Sequence, residues 1–585
     1  MRFLLEDIFK LPTHHDLYGE LNINNEDMVA ILEEIAKFTE RVIQPLSAPS
    51  DAEGCTLRDG EVITPEGYKE AYNNYRKGGW FALACKQKHG GMELPQVLSA
   101  CVAEMIAAAN PGFMMYTGLN KGAIEALDLA GNEDQLNKYM SALVSGEWAA
   151  TMNLTEPQAG TDLGLIKTKA ILQADGRYRI SGSKIFISGG DHDLTDNIIH
   201  LVLARTPNAP KGSKGVSLFL VPKYFVERDG SLGPRNHIEC TGLEKKMGLN
   251  GSATCSMQFD EALGELIGNE NDGLRIIFSM MNTMRISVGG QSVGLADIAY
   301  HNAKEYSLER LQGRKPNSST PEGQADHLID IPDVRRMLMA SKSFVEGARA
   351  LTLWLGLQLD ISTKSNSVDE KKSATKLLAL LTPVVKGYQT DTAEEVISMC
   401  LQCFGGYGYI KETGIEQIYR DVRISKIYEG ATGVQAMDLL GRKVLLDGGQ
   451  TLNFFLELIK PTLKECSDHF DLMVFNDSME KAIDELTKIT EWVFNYAPKD
   501  KNLTGTISHH YLKMMGLISI GYMWCLMALE AKDQLIDGKG DKVFLENKLI
   551  TGQFFMEQYL PDCASLTVKI KAGSKIVMGI DKETL

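Results

Sequence analysis

A block of short β-branched segments, with helical sequence on both sides, is the feature that most limits how this chain can fold. Between residues 151 and 266, stretches such as "NIIHLVLAR" and "GVSLFLVPK" are bounded by turn residues, as is typical of β-strands. Before and after this block, apolar residues recur at helical spacing. A chain of 585 residues is also too long for a single hydrophobic core. The pattern predicts a mainly α protein of several domains with a small β-domain between helical ones.

Changes of pattern along the chain predict where the domains meet. "GRYRISGSKIFISGG" alternates on either side of Ser181-Gly182, so we expect a β-hairpin there. The uncharged run Met514–Leu529 is short for a membrane span, and we expect it to be a buried helix. The predicted domains are an N-terminal helical domain (1–150), a middle β-domain of barrel type (151–268), a four-helix bundle (269–448) and an additional C-terminal helical domain (449–585).

Charge and cysteine content exclude several classes of protein. The net charge is −15, and residues 450–585 carry 15 basic and 19 acidic residues. Nucleic-acid binding depends on neutralising phosphates with Lys and Arg, so we expect no nucleic-acid partner. The start "MRFLLEDIFKLPTHH" has acidic residues where a signal peptide needs an apolar run. Ten cysteines lack the spacing of a disulfide framework, which favours a reducing, cytoplasmic location.

One cysteine pair has a spacing found in redox and metal sites. Cys400 and Cys403 form a CxxC, but no second pair and no histidine cluster accompany it. We interpret them as ordinary helix cysteines, and we predict no metal site.

The segment "ISKIYEGATGVQAMDLL" raises the question of chemistry. Its carboxylate, Glu429, stands between apolar residues and a glycine that lets other backbone approach closely. Taken alone, such a glutamate is a solvated surface residue. In apolar surroundings its pKa would rise, and it could act as a general base.

Six stretches in a fixed order resemble the acyl-CoA dehydrogenase family. They are "MNLTEPQAGTD", "KIFISGG", "MMNTMRISVGG", "SLERLQG", "QCFGGYGY" and "IYEGATGVQ". The likeness runs from about residue 25 to 445. It extends over nearly the whole chain for the longer branch of the family, which has an extra C-terminal helical domain and includes 3-(methylthio)propanoyl-CoA dehydrogenases. The resemblance implies the fold predicted above, with FAD bound between the domains.

The resemblance also implies which residues bind FAD. The loop from Met152 would lie at the flavin edge, and the strand at Phe186 would cover one flavin face. Arg310 would reach the FAD pyrophosphate of a neighbouring subunit, for which the planar guanidinium is suited. The implied FAD residues are Met152, Leu154, Thr155, Gly160, Thr161, Phe186, Ile187, Ser188, Arg310, Gln312, Gln402, Gly405, Gly406, Ala431 and Gly433.

The implied substrate site departs from the family pattern at several positions. Thr161 stands where the family usually has Ser, and Phe186-Ile187-Ser188 replace Trp-Ile-Thr. Asn282 replaces an acidic residue that contacts CoA, whereas Arg285 is retained. A methionine-rich stretch resembles the lining of the acyl pocket, although each of its residues is as readily a core residue. The implied substrate-binding residues are Thr161, Asn282, Arg285, Met114, Met115, Tyr116, Leu119 and Gly430.

The family's activity is the α,β-dehydrogenation of an acyl-CoA to a trans-2-enoyl-CoA. Glu429 aligns with the catalytic base, and the implied electron acceptor is an electron-transferring flavoprotein. The family also implies a homodimer or homotetramer. The methylthio-acyl substrate is one expectation, and a medium or long straight-chain acyl-CoA is the alternative. Two further alternatives are an acyl-CoA oxidase and a non-catalytic DNA-binding relative. The acidic C-terminal region disfavours the DNA-binding relative.

Overall fold

The computed structural model describes residues 1–18 and 24–585, with the backbone alone for His15 and Asp16. The chain divides into two compact units. The first consists of residues 1–31, 96–104 and 285–585, and the second of residues 32–95 and 105–284. Most of the chain is helical, with one seven-stranded sheet, so the predicted fold class is confirmed.

Helices and one short hairpin precede the main sheet. Helix α6 is capped by Asn110, whose side chain accepts a hydrogen bond from the Phe113 N–H. Helix α7 begins with a capping box formed by Asn132 and Gln135. The elements are α1 (His15–Tyr18), α2 (Asn25–Phe38), α3 (Ser47–Glu53), β1 (Thr56–Arg58), β2 (Glu61–Ile63), α4 (Tyr68–Lys77), α5 (Gln96–Ala109), α6 (Pro111–Ala130) and α7 (Glu133–Val144).

The sheet of the second unit has the order β3-β6-β7-β11-β5-β4, with β10 paired to β11. Strands β3 and β6 are parallel and the other pairs are antiparallel. Its core joins buried residues of these strands to those of α6 and α7. The strands are β3 (Ala149–Asn153), β4 (Lys169–Leu172), β5 (Tyr178–Ser188), β6 (Ile198–Ala204), β7 (Ser217–Pro222), β8 (Tyr224–Val226), β9 (Leu232–Arg235), β10 (Ile238–Leu243) and β11 (Thr254–Ile267).

The hairpin predicted at Ser181-Gly182 is wrong. Both residues lie inside the continuous strand β5, where Gly182 pairs with Phe259 of β11. A Cβ atom at Gly182 would stand 2.5 Å from the Thr168 hydroxyl oxygen. The glycine therefore permits a close approach rather than a turn.

Long helices build the first unit, to which α8 contributes its residues from Arg285 onward. Val384–Tyr388 forms a π turn that joins α10 to α11, and Asp438–Leu445 forms another after α13. The helices are α8 (Gly273–Glu309), α9 (Pro332–Lys364), α10 (Val368–Pro383), α11 (Gln389–Cys403), α12 (Ile415–Val422), α13 (Thr432–Met437), α14 (Gln450–Ser467), α15 (Met473–Tyr496), α16 (Leu503–Ile536), α17 (Lys542–Gln558) and α18 (Asp562–Lys571).

Two smaller predictions about helices are confirmed. Helix α16 is long and apolar enough to cross a membrane, but 89% of its most apolar 18-residue window is buried within the protein. Cys400 and Cys403 are free, buried residues of α11. The Cys400 thiol lies 3.4 Å from the Ser341 hydroxyl, a contact typical of a helix core.

Candidate active site

Glu429 lies in a tight turn just before α13 rather than within a helix. Its φ is +56°, and the next residue, Gly430, has a φ of +91°. A left-handed conformation costs a non-glycine residue about 1–2 kcal/mol. Backbone strain of this kind persists only where surrounding contacts hold it, and it is concentrated at functional sites.

Side chains from two other segments hold this turn. The Lys386 ammonium donates to the Gly430 carbonyl over 2.6 Å. The Gln435 amide nitrogen lies 3.3 Å from both the Glu429 and the Gly430 carbonyl oxygens. A Cβ atom at Gly430 would stand 2.5 Å from that nitrogen and would displace it, and the φ of +91° would strain any side chain, so both features favour glycine here. Both carbonyl groups of the turn are thereby fixed.

The surroundings of Glu429 suit a base. Its Oε2 atom is buried and, among the described residues, has no hydrogen-bond partner. Burial raises the pKa of Glu429, while the charges of Arg285 and Lys386 act in the opposite direction. Arg285 is itself mostly buried, which lowers its pKa. A carboxylate that lacks a donor at one oxygen is free to accept a proton there.

A second contact anchors the residue before the base. The Tyr428 hydroxyl donates a short hydrogen bond to the Gln291 side-chain oxygen. Gln291 is a buried residue of α8, the helix that also carries Arg285. The base turn is therefore linked to the Gln291 region of α8, to α13 and to the π turn after α10, and these segments lie in the first unit.

A cavity of about 600 Å³ in the first unit brings several predicted FAD residues together. Arg310 and Tyr407 stand side by side, with the guanidinium 5.4 Å from the ring centre. A Cβ atom at Gly405 or Gly406 would meet open space, so the backbone there is accessible. The predicted residues lining the cavity are Arg310, Gln312, Gln402, Gly405 and Gly406.

A β-bulge in the second unit presents Phe186. Lys184 pairs with Met257 and Ile187 with Cys255, so two residues of β5 oppose one of β11. Phe186 has a φ of +58° and is 59% exposed, whereas Ile187 is buried. An exposed aromatic ring in a strained conformation suggests a ligand-facing role.

A buried ion pair ties this strand to the loop that follows Met152. Lys184 is fully buried, and its ammonium donates to Glu156 over 2.9 Å and to the Leu154 and Leu203 carbonyls. Glu156 also accepts hydrogen bonds from the Thr168 hydroxyl and from two backbone N–H groups. Every polar group of this pair is therefore engaged.

The remaining predicted residues of the loop differ in exposure. Met152 is buried, and Leu154 and Thr155 are partly buried. Gly160 and Thr161 are exposed, and a Cβ atom at Gly160 would meet nothing within 4 Å. The Ile185 N–H donates to the Thr155 carbonyl, which places the loop beside the bulge.

The predicted acyl-pocket residues lie on α6. Tyr116 is buried, and its hydroxyl accepts from the Ala253 N–H over 2.7 Å. Met114 and Leu119 are buried as well, and Met115 is partly buried. Tyr116 and Leu119 lie against Gly189, just after β5. The structure thus places this part of α6 beside the strand of Phe186, and the ligand role of these residues stays a prediction.

Asn282 is exposed on α8, three residues before Arg285. Ala431 precedes α13 as its N-cap, and Gly433 is exposed in its first turn. Gln435 was noted only as a retained residue of the base motif, and no role was predicted for Lys386 or Lys184. The position of Lys386 in the apolar run "LLTPVVKGY" was a signal, but its partner at Gly430 is 44 residues away.

Comparisons with known proteins match the chain along most of its length. Four family models match: acyl-CoA dehydrogenase N-terminal domain (residues 25–147), middle domain (151–262), C-terminal domain (271–445) and acetyl-CoA dehydrogenase C-terminal like (455–581).

Relatives and a solved structure agree with the domain matches. A 3-methylmercaptopropionyl-CoA dehydrogenase of Ruegeria pomeroyi is 41% identical, over 96% of this chain and 95% of that protein. A broad-specificity linear acyl-CoA dehydrogenase of Mycobacterium tuberculosis is 34% identical, over 89% and 88%. The structure of a Bacillus anthracis acyl-CoA dehydrogenase complexed with FAD superposes with a TM-score of 0.74 at 20% identity, covering 95% of this chain and 91% of that one.

Proposed function

Because this chain belongs to the acyl-CoA dehydrogenase family, we propose that Glu429 is the base that removes the α-proton of its acyl-CoA substrate. The protein is an FAD-dependent oxidoreductase that dehydrogenates an acyl-CoA thioester. The observation that carries the proposal is the buried Oε2 of Glu429, which has no hydrogen-bond donor among the described residues.

The residues present fit FAD. The cavity at Arg310 combines a fork-shaped cation with open backbone at Gly405 and Gly406, which suits a pyrophosphate or a ribose. The exposed ring of Phe186 suits the apolar face of a flavin. The other predicted FAD residues, on the loop after Met152, on β5 and around α13, remain proposals of the same kind.

The protein's residues handle the proton and the negative charge. Burial raises the pKa of Glu429 and so brings its basicity closer to that needed for a weakly acidic C–H group. We propose that the Glu429 backbone N–H donates to the thioester oxygen, where charge develops as the proton leaves. One such donor is worth roughly 3–4 kcal/mol in the transition state. Arg285 and Asn282 would bind the CoA portion.

FAD, when bound, supplies the two-electron acceptor that takes the β-hydrogen as hydride, leaving a trans-2-enoyl-CoA. The α-proton leaves its bonding electron pair behind to form the new π bond, whereas the β-hydrogen takes its own pair with it as hydride. Electron-transferring flavoprotein is the proposed acceptor of the electrons that follow.

The proposed substrate is 3-(methylthio)propanoyl-CoA. The Ruegeria pomeroyi relative named for this compound covers nearly the whole chain. Methionines favour contacts with sulfur, and Met114 and Met115 lie on the helix predicted to line the pocket. A straight-chain acyl-CoA is the second candidate, because the 34% identical relative is named for linear substrates.

We further propose a cytoplasmic homodimer or homotetramer with four domains, bounded near residues 150, 268 and 448. The additional C-terminal domain carries no part of the proposed site.

Glu429→Gln tests the proposal. The amide keeps the size of the side chain but cannot take up the α-proton. Anaerobic flavin bleaching by a panel of methylthio-acyl and straight-chain acyl-CoAs should identify the substrate, and the variant should bleach roughly 10²–10⁴ times more slowly. FAD content and acyl-CoA binding should stay close to wild type. A variant that bleaches at the wild-type rate would show that another residue is the base.

The wild-type rate carries a pH signature. Since the carboxylate is the active form and burial raises the pKa of Glu429, the bleaching rate should rise with pH through that pKa. Glu429→Gln should lack this rise, which stopped-flow measurements over pH 5 to 9 would detect.

A further inference from the structure

Lys386 is a buried cation beside the base turn that no part of the reaction described above uses. Its side chain is fully buried, although a lysine is among the residues least often found without exposure. Burial lowers the pKa of Lys386 to about 8, against the opposing charges of Glu429 and Asp391. At neutral pH the residue is still largely protonated, so it is a charge held at a considerable desolvation cost.

The π turn places the Lys386 side chain within hydrogen-bond distance of the Gly430 carbonyl. Lys386 is the central residue of Val384–Tyr388, and π turns within helices are frequent at functional sites. The next residue, Gly387, lies so close to α13 that a Cβ atom there would stand 3.1 Å from the Gln435 Cβ. The segment carrying Lys386 and the helix carrying Gln435 therefore pack in direct contact.

Lys386 and Gln435 share one task. Both bind the Gly430 carbonyl, and Gln435 also reaches the Glu429 carbonyl. These two carbonyls belong to the two consecutive residues with positive φ. Without donors there, the turn would be free to relax toward ordinary backbone angles, which would turn the Glu429 side chain away.

The charge of Lys386 acts on the same residue. Lys386 favours the ionised form of Glu429, together with Arg285 on α8. The other charged or titratable groups facing these residues are Tyr428, Asp391, Asp438 and Arg442. Asp391 is already engaged by the Thr432 hydroxyl and by Lys426, so it does not neutralise Lys386 alone.

We propose that Lys386 is a positioning residue for dehydrogenation: its ammonium group fixes the Glu429–Gly430 turn and favours the ionised carboxylate of Glu429. This inference rests on the proposed role of Glu429 as the base. Lys386 contacts neither substrate nor FAD in this account, and it acts through the backbone and the field of its charge.

The test compares the pH profile of flavin bleaching for Lys386→Met and Lys386→Arg. Methionine keeps an unbranched apolar side chain, one heavy atom shorter, and removes both donor and charge. Its profile should move to higher pH, with a loss of roughly tenfold or more below the wild-type midpoint and partial recovery above it. Arginine keeps the charge, so the midpoint of the pH profile of Lys386→Arg should lie close to that of the wild type.

A matched control separates this effect from loss of a buried lysine in general. Lys548 is also buried, in the same unit, and pairs with Glu346 over 2.7 Å. Lys548→Met should lower the melting temperature without moving the midpoint of the pH profile of flavin bleaching. If Lys386→Met does not fold, Lys386→Gln supplies the measurement, because it keeps a donor and removes the charge.

Glu429→Gln is measured in parallel so that two failures can be told apart. If that variant bleaches flavin as fast as wild type, the assignment of the base fails and this inference fails with it. If Glu429→Gln is slow but the profile of Lys386→Met, or of Lys386→Gln in its place, coincides with wild type, the inference alone is overturned.

Discussion

Two costs of folding meet at Glu429. Its φ of +56° is unfavourable for a side chain with a Cβ, and its Oε2 is buried without a donor among the described residues. Each is of the order of 1–3 kcal/mol. Neither improves the packing of α13. Natural proteins retain such violations where activity depends on them, so the site is sensitive to changes that leave the carboxylate itself intact.

Gly430→Ala should show this sensitivity. Alanine would be strained at a φ of +91°, and its Cβ would displace the Gln435 amide, which stands 2.5 Å away. We expect a loss of about 1–2 kcal/mol of stability. A displaced base should slow flavin bleaching by roughly 10–100-fold. Urea unfolding and anaerobic stopped-flow would measure the two effects.

Gly441→Ala is the matched control. That glycine lies in the π turn after α13, and a Cβ there would stand 3.9 Å from Thr504, an ordinary contact. We expect it to leave the bleaching rate unchanged. Equal behaviour of the two variants would mean that the left-handed turn does not position the base.

Of the two residues Glu429 and Lys386, the sequence predicted a role only for Glu429. Glu429 could be named from its local motif, because the motif spans a few neighbouring residues. Lys386 could not, since its meaning depends on Gly430, 44 residues further along the chain. A buried lysine becomes recognisable only when its acceptor is known.

Among the elements, β5 was predicted wrongly as a hairpin, and its contacts hold the loop that would bind the flavin. Gly182 looked like a turn residue, but it sits within the strand where Thr168 approaches. Lys184, two residues later, connects β5 to β6 through the Leu203 carbonyl and to the loop through Glu156. The strand and the loop that would hold the flavin are therefore one connected element.

Glu156→Gln should reveal this connection as acid sensitivity. Burial opposes ionisation, but the charge of Lys184 and several hydrogen bonds hold the pKa of Glu156 at about 2. The unfolded state therefore takes up the proton first, and stability falls as pH drops from about 4.5 toward 2. The wild type should lose roughly 3 kcal/mol there through this group. The variant should lack most of that dependence.

Neutral pH supplies the complementary measurement. There Glu156→Gln leaves Lys184 without its counter-charge, which should cost roughly 3–5 kcal/mol in urea unfolding. Asp484→Asn is the control, because Asp484 pairs with Lys488 on the exposed face of α15. If Glu156→Gln and Asp484→Asn destabilise the protein equally, the buried pair does not hold the strand.

For the whole molecule, the cavity at Arg310 is the clearest product of long-range folding. Some of its predicted residues directly follow α8, and the others lie at the end of α11 and in the turn after it, about 90 residues further along the chain. The family motifs identified each segment separately. Local sequence could not show that they line one cavity, nor that Tyr407 would lie beside Arg310, because that depends on how α8, α9 and α11 pack.

Arg310→Ala should weaken FAD retention more than folding. The arginine is exposed, and a cation–π contact such as the one with Tyr407 contributes only about 0.5–1 kcal/mol at an exposed site, so the melting temperature should change little. Loss of the phosphate-matching fork should lower the FAD-to-protein ratio after gel filtration and raise the Kd for added FAD by roughly tenfold or more.

Arg275→Ala serves as control, because Arg275 is exposed and pairs with Asp272 at the start of α8. Full FAD retention by Arg310→Ala would contradict the proposed role of the cavity. Sedimentation of the FAD-saturated wild type adds an independent check, since the contact of Arg310 with the FAD of a neighbouring subunit, which the family resemblance implies, requires an oligomer.

The bulge at Phe186 affects which insertions and deletions β5 can tolerate during evolution. Up to Lys184 the buried side chains of β5 fall on even numbers, and from Ile187 the buried side is odd. The bulge thus shifts the alternation of buried and exposed side chains in β5 by one residue. Deleting residue 185 or 186 would remove the extra residue, so that β5 could pair regularly with β11 while Ile187 stayed on the buried side. A substitution in β5 alters one side chain, whereas an insertion or deletion that no bulge absorbs would exchange the buried and exposed faces of the strand beyond it.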